Sequence, residues 1–143
     1  MIFRLANAIW EGGLKRGTGR LRLGSSRWEG PYSFSSRFES GEGTNPEELI
    51  GAALAGCFSM ALSANLEKAG HVPEIIRTDA EVGLDKKKGG FAIGKIRLLT
   101  AAVVPAISES DFLSAAEEAK RDCPVSKALS SVEIELKAKL AQK

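Results

Sequence analysis

One stretch governs what this chain can become. From Leu49 to Leu66 the residues are almost all small or apolar, and from Leu49 to Met60 no polar face exists. The segment before it, Gly43-Thr44-Asn45-Pro46-Glu47-Glu48, is a strong helix start. Asn45 fits the N-cap, Pro46 the first helical position, and Glu48 the third, as in a capping box. Glu47 and Glu48 also suit the positive end of the helix dipole. The pattern predicts a helix running to Gly70, with Pro73 beyond the stop. A helix apolar all round is buried on all sides. Its small residues, Gly51, Ala52, Ala53, Ala55 and Gly56, admit other backbones closely. A helix of about 25 residues with this surface asks more cover than a lone 143-residue protomer provides. An obligate, intertwined homodimer, its helices packed between two sheets, supplies that cover.

The flanking segments read mostly as strands. Ile2 to Trp10, Arg20 to Leu23 and Tyr32 to Phe38 form a first group, separated by the Gly17-Thr18-Gly19 turn and by Gly30-Pro31. After the helix, Ile76, Thr78, Ala80, Val82 and Leu84 alternate with polar residues or glycine. Phe91 to Val104 is a long strand joined to it across the Lys86–Gly90 turn and ended by Pro105. Ser108 or Ser110 caps a helix to Arg121, which Asp122-Cys123-Pro124 breaks, and a short helix follows through Leu129. Val132, Ile134, Leu136, Ala138 and Leu140 then alternate with charged residues. The order β-β-β-α-β-β-α-β is α+β, with the long buried helix against antiparallel sheets. No linker or repeat divides it, so residues 1–143 read as a single domain.

Charge excludes one class of partner. Lys plus Arg number 20 and Asp plus Glu 18, for a net charge of +2, too balanced for nucleic acid. The lysines 86–88 before Gly89-Gly90 read as a solvated hairpin turn. The N-terminal MIFRLANAIWEGG lacks a cleavable signal pattern. No stretch is read as reaching the ~18 apolar residues of a membrane span. These readings put the chain in a reducing cytoplasm, where a structural disulfide is not expected.

The two cysteines, Cys57 and Cys123, are then buried bystanders, metal ligands or redox actors. Separated by 66 positions and accompanied by one histidine, His71, they give no zinc spacing. Cys57 lies mid-helix beside Gly56, Phe58 and Met60, where a small core residue is the plain reading. Burial there raises a thiol pKa unless a positive group is near. Cys123 precedes Pro124 at a helix break, with Lys120, Arg121 and Lys127 close in sequence; a helix N-terminus favours a thiolate. Arg37 and Glu47 read either as an ordinary surface arginine and helix-start carboxylate, or as the cation Cys57 needs and the group that orients it. Glu47 and Cys57 are ~15 Å apart along an unbroken helix. A site holding both therefore needs Glu47 of one chain near Cys57 of the other.

At these residues the chain resembles the osmotically inducible protein C (OsmC) family. The motifs are Gly43-Thr44-Asn45-Pro46-Glu47-Glu48-Leu49-Ile50-Gly51-Ala52-Ala53 and Gly56-Cys57-Phe58-Ser59-Met60-Ala61-Leu62. Trp10-Glu11-Gly12, Arg37-Phe38-Glu39 and Cys123-Pro124-Val125-Ser126 complete the set, in order, over essentially the whole chain. The related organic hydroperoxide resistance group shares the Asn-Pro-Glu and both cysteines; Arg37-Phe38-Glu39 and the unbroken helix motif favour the OsmC branch.

The resemblance implies an α+β homodimer with two interface sites. Its activity would be that of a thiol peroxidase of the osmotic and oxidative stress response, reducing organic hydroperoxides and, less well, hydrogen peroxide. By motif position Cys57 matches the peroxidatic cysteine, Cys123 the resolving one, and Arg37 and Glu47 the family's arginine and glutamate. The implied cycle runs through a Cys57 sulfenic acid and a Cys57–Cys123 disulfide, recycled by an external dithiol of lipoyl type, with no metal, flavin or haem. Leu54 stands where this branch often has histidine, which makes the surroundings of Cys57 more apolar. Leu54, Phe58 and Met60 suit a substrate with an alkyl group. Two other classes compete: a non-catalytic binder of small apolar ligands, and a redox sensor whose disulfide changes its shape.

Overall fold

A computed structural model describes residues 1–25 and 27–141. They form two compact units, divided between Leu49 and Ile50.

The N-terminal unit is a three-stranded antiparallel sheet in the order β1-β2-β3, with β1 Ala6–Glu11, β2 Thr18–Leu23 and β3 Glu29–Tyr32. Trp10 on β1 and Tyr32 on β3 flank Gly19 of β2, their rings 5.4 Å apart. A Cβ at Gly19 would come within 2.6 Å of both rings, so only glycine lets them meet across the central strand. The first strand is shorter than expected: Ile2, Phe3 and Leu5 precede it and are exposed.

The expected third strand, Tyr32 to Phe38, is corrected. Only Tyr32 is in a strand, and α1 Phe34–Phe38 follows. Ser33 caps α1, accepting from the Ser36 N–H at 3.1 Å, while Ser36 Oγ accepts from the Ser33 N–H at 2.9 Å. This reciprocal cap supplies the backbone partners that a strand would have drawn from a neighbour.

The long helix is α2 Pro46–Lys68, two residues shorter than expected. Asn45 Oδ1 accepts from the Glu48 N–H at 2.8 Å, the N-cap bond the sequence calls for. Glu48 does not close the box; its carboxylate accepts from Thr44 Oγ1 at 2.9 Å instead.

In the C-terminal unit, β4 Ile75–Lys87 and β5 Gly90–Val103 form a long antiparallel hairpin through the Lys88-Gly89 turn. α3 Glu109–Asp122, capped by Ser108, and α4 Pro124–Ala128 lead to β6 Glu133–Leu140. β6 pairs with β5 in parallel, so this sheet is mixed where antiparallel pairing was expected. A strand returning through a helical connection can lie parallel, which a tight hairpin forbids.

Leu54, Phe58, Leu62 and Leu66, at a four-residue interval on α2, are fully buried against Ile96 and Leu98 of β5 and Phe112, Ala116 and Ala119 of α3. Each such side chain contributes about 1.5–3 kcal/mol. Ser59 Oγ donates to Thr78 Oγ1 at 2.8 Å and Asn65 Nδ2 to the Ala115 carbonyl at 3.3 Å, tying α2 to β4 and α3. The opposite face departs from the expectation of burial on all sides: Ala52, Ala53, Gly56, Met60 and Ala64 are exposed in the protomer. The reading that no stretch is long and apolar enough for a membrane also needs correction. By length and composition α2 passes that test, with mean hydropathy 1.7 over an 18-residue stretch. Its packed face makes it the core helix of this unit.

Candidate active site

The site residues expected from sequence form two clusters. The first lies in the N-terminal unit. Ser36, buried on α1, donates from Oγ to the Thr44 carbonyl at 2.7 Å, and Asn45 Nδ2 donates to the Ser36 carbonyl at 3.0 Å. These bonds fix α1 against the start of α2. Gly43, at φ +113°, lets the chain turn there; a Cβ would come 2.7 Å from the Pro31 carbonyl oxygen.

The result sets Arg37 on Glu47. Arg37 Nε lies 3.2 and 3.3 Å from the two carboxylate oxygens and Nη2 2.8 Å from Oε1. Glu47 is nearly buried, whereas the Arg37 side chain is 37% exposed. A buried carboxylate held by a two-nitrogen fork keeps the guanidinium in one orientation and leaves its outer edge free to meet an anion. Arg37 also lies over the Phe38 ring, 5.1 Å from its centroid.

Beside it is a cavity of about 210 Å³ lined by Trp10, Leu14, Tyr32, Ser33, Phe34, Arg37 and Phe38. Sequence reasoning missed this cavity because Tyr32 to Phe38 was read as a strand. The Ser33-x-x-Ser36 spacing, a capping signature, was the available signal.

The second cluster lies in the C-terminal unit. Cys57, on α2, is partly buried, and Cys123, 1% exposed, joins α3 to α4. Its backbone N–H bonds to the Ala119 carbonyl at 3.1 Å and ends α3. Its sulfur accepts from the Ser126 N–H at 3.3 Å and begins α4. The Asp122-Cys123-Pro124 break is therefore where the sequence puts it.

Both thiols are free and near each other. Burial pushes the Cys57 thiol above its ordinary value. The Val125 backbone amide acts the other way, and the neighbouring Cys123 thiol raises it again. A positive group near such a thiol would favour its thiolate.

Two residues given a site role leave it. Leu54 and Phe58 are fully buried in the core, since they share the stripe with Leu62 and Leu66 that faces the sheet. Of the three apolar side chains matched to an alkyl substrate, Met60 alone is exposed. Among the described residues no group of three or more His, Cys, Asp or Glu has a metal-binding arrangement.

Residues 39–137 match the family described as OsmC-like protein. The chain is 50% identical over 129 residues to "Peroxiredoxin OsmC" of Escherichia coli (strain K12), covering 90% of each. It is 34% identical to "Organic hydroperoxide resistance protein" of Xanthomonas axonopodis pv. citri (strain 306), covering 62% of this chain and 61% of that one. In fold it is similar to the crystal structure of the OsmC-like protein from Mycoplasma pneumoniae, with a TM-score of 0.77, 14% identity and 99% of each chain covered. The α+β architecture, the long central helix and the order of elements agree with that fold. By sequence and by fold, the chain belongs to the OsmC-like protein family.

Proposed function

We propose that this protein is a thiol-dependent peroxidase that reduces organic hydroperoxides, and hydrogen peroxide less well. The observation that carries the reading is the thiol pair. Cys57 and Cys123 come together from α2 and the α3–α4 junction, within a chain half identical to a protein named a peroxiredoxin.

In this reading Cys57 is the nucleophile. Its thiolate attacks the distal oxygen of R–O–OH, the O–O bond breaks, and the alkoxide takes a proton to leave as the alcohol. The product on the protein is Cys57 sulfenic acid. Cys123 then attacks that sulfur, forming the disulfide and releasing water. An external dithiol, of lipoyl type, exchanges with the disulfide and restores both thiols. Such a cycle belongs in a compartment that keeps thiols reduced, the cytoplasm.

Arg37 supplies the missing cation and Glu47 orients it. The guanidinium stabilises the thiolate and the charge that develops on the leaving oxygen. α2 is unbroken, so Glu47 and Cys57 of one chain are separated by a rise of ~15 Å. We assign the Arg37 and Glu47 that serve Cys57 to the partner subunit of a homodimer.

Support for the dimer comes from exposed apolar surface. Ala52, Ala53, Gly56, Met60 and Ala64 form one uncovered face of α2, and Ile2, Phe3, Leu5 and Ile9 are also uncovered. An uncovered apolar helix face of this kind calls for a partner, and the small side chains on α2 let a second helix approach closely. Both units are read as one OsmC-like domain, since the Mycoplasma relative matches across 99% of the chain.

Consumption of tert-butyl hydroperoxide and of hydrogen peroxide, with dihydrolipoamide and then thioredoxin as reductant, tests the function. Turnover with the alkyl hydroperoxide, fastest with the lipoyl dithiol and absent in Cys57→Ser, is expected. Equal rates for wild type and Cys57→Ser would sink the mechanism. Retention of an apolar ligand without peroxide consumption would favour a binding protein.

A further inference from the structure

Ser126 has a buried hydroxyl that the chemistry above leaves without a task. The residue is 6% exposed, and its Oγ lies 3.1 Å from Cys123 Sγ. Its backbone N–H reaches the same sulfur at 3.3 Å. The amide and the hydroxyl of one residue thus converge on one thiol. The backbone bond is the cap of α4, and any residue but proline makes it. The hydroxyl is not needed for that cap. A buried hydroxyl stays only where it has a partner, and the partner here is the Cys123 sulfur.

We propose that Ser126 is a positioning residue for disulfide closure, its hydroxyl holding Cys123 Sγ in the orientation and charge state that attack the oxidised Cys57. The inference rests on the Cys57–Cys123 chemistry proposed above. In the step itself, Cys123 Sγ attacks the sulfenic sulfur of Cys57. The S–S bond forms, the S–O bond breaks, and the departing hydroxide takes the proton of the Cys123 thiol to become water. The Cys57 sulfur is reduced and the Cys123 sulfur oxidised by one electron each, so no further oxidant is needed. As the proton leaves Cys123, the Ser126 O–H donates to the charge left on sulfur, and the backbone amide keeps the sulfur from turning away. Cys57 makes no bond to Ser126 in this scheme, so the two halves of the cycle separate. Peroxide attack is independent of the hydroxyl, while closure depends on it.

The test uses the full chain as wild type, Ser126→Ala and Ser126→Thr. Each reduced protein is mixed with tert-butyl hydroperoxide and quenched over time. Mass spectrometry then follows sulfenic acid, disulfide and sulfinic acid separately. Ser126→Ala keeps the backbone cap and loses only the hydroxyl. We expect its Cys57 to oxidise at the wild-type rate while closure slows about tenfold, the effect of one hydrogen bond to a charged group. The sulfenic acid then persists, and more of it reaches sulfinic acid as peroxide is raised. Ser126→Thr, which restores a hydroxyl, is expected to restore closure. Closure at the wild-type rate in Ser126→Ala, or slowing shared equally by Ser126→Thr, overturns the role of Ser126 and leaves the peroxidase reading intact. A wild type that forms no Cys57–Cys123 disulfide overturns the underlying chemistry and this proposal with it.

Discussion

The N-terminal and C-terminal units carry opposite halves of a chemistry. Around Arg37 and Glu47 the charges are fixed, paired and oriented by α1 and the start of α2. Around Cys57, burial and then the neighbouring Cys123 thiol push the thiol above its ordinary value. In the proposed cycle one unit carries the cation and the other the thiol that it activates. Neither cluster alone explains a peroxide-reactive thiolate. In the proposed function the pair does, and the ten helical positions from Glu47 to Cys57 are the reason the proposal runs that pairing between subunits.

Four changes would break or sharpen this contrast. Cys57→Ser has the largest expected effect, complete loss of peroxide consumption under any dithiol, because no other sulfur becomes the sulfenic acid. Ala53→Glu comes next. It sets a charge on the uncovered apolar face of α2, so the expected result in light scattering is a folded monomer, without the composite site and close to inactive. A dimer of full activity would count against the role given to that face.

Arg37→Ala is expected to lower the rate at pH 7 by roughly a hundredfold, the scale of losing one charge-stabilising donor. Its pH dependence has a definite sign. The Cys57 thiol stands above its ordinary value, so without the cation the thiolate fraction is small at neutral pH and grows as pH climbs through that raised value. Iodoacetamide labelling of Cys57 should therefore rise at more alkaline pH in Arg37→Ala than in wild type. Coincident profiles would remove Arg37 from the site. Glu47→Gln has the smallest expected effect, about tenfold in rate, because the amide keeps one acceptor for the guanidinium while losing the charge that fixes it.

Much of this was legible in the residues, for reasons that differ by element. The start of α2 was readable because Asn45, Pro46 and the two glutamates each answer a local demand of a helix terminus, and Asn45 makes the bond it should. The apolar run of α2 gave the helix but not its buried stripe: with no polar face it reads as buried all round, and only the fold shows that Leu54, Phe58, Leu62 and Leu66 face the sheet. α1 was not readable from alternation: Tyr32, Phe34, Ser36 and Phe38 repeat every two residues, yet the Ser33–Ser36 cap wins locally. The direction of β6 was hidden too, since period-two alternation fixes a face and says nothing of parallel or antiparallel pairing; the helical connection before it was the clue. Of the site, the four residues were named from motifs, but their division into a charged and a thiol cluster needed the fold. The aromatic cavity beside Arg37 depends on β1, β2 and β3 meeting around Gly19, a tertiary arrangement that no local window contains.

Complementation between two inactive chains tests the central claim most directly. Cys57→Ser and Arg37→Ala are refolded together from denaturant and assayed against tert-butyl hydroperoxide. If Arg37 serves Cys57 of the other subunit, each mixed dimer holds one intact site. Random pairing then returns about a quarter of wild-type activity from two nearly dead parents. Activity no higher than the average of the two parents would contradict a site shared between subunits.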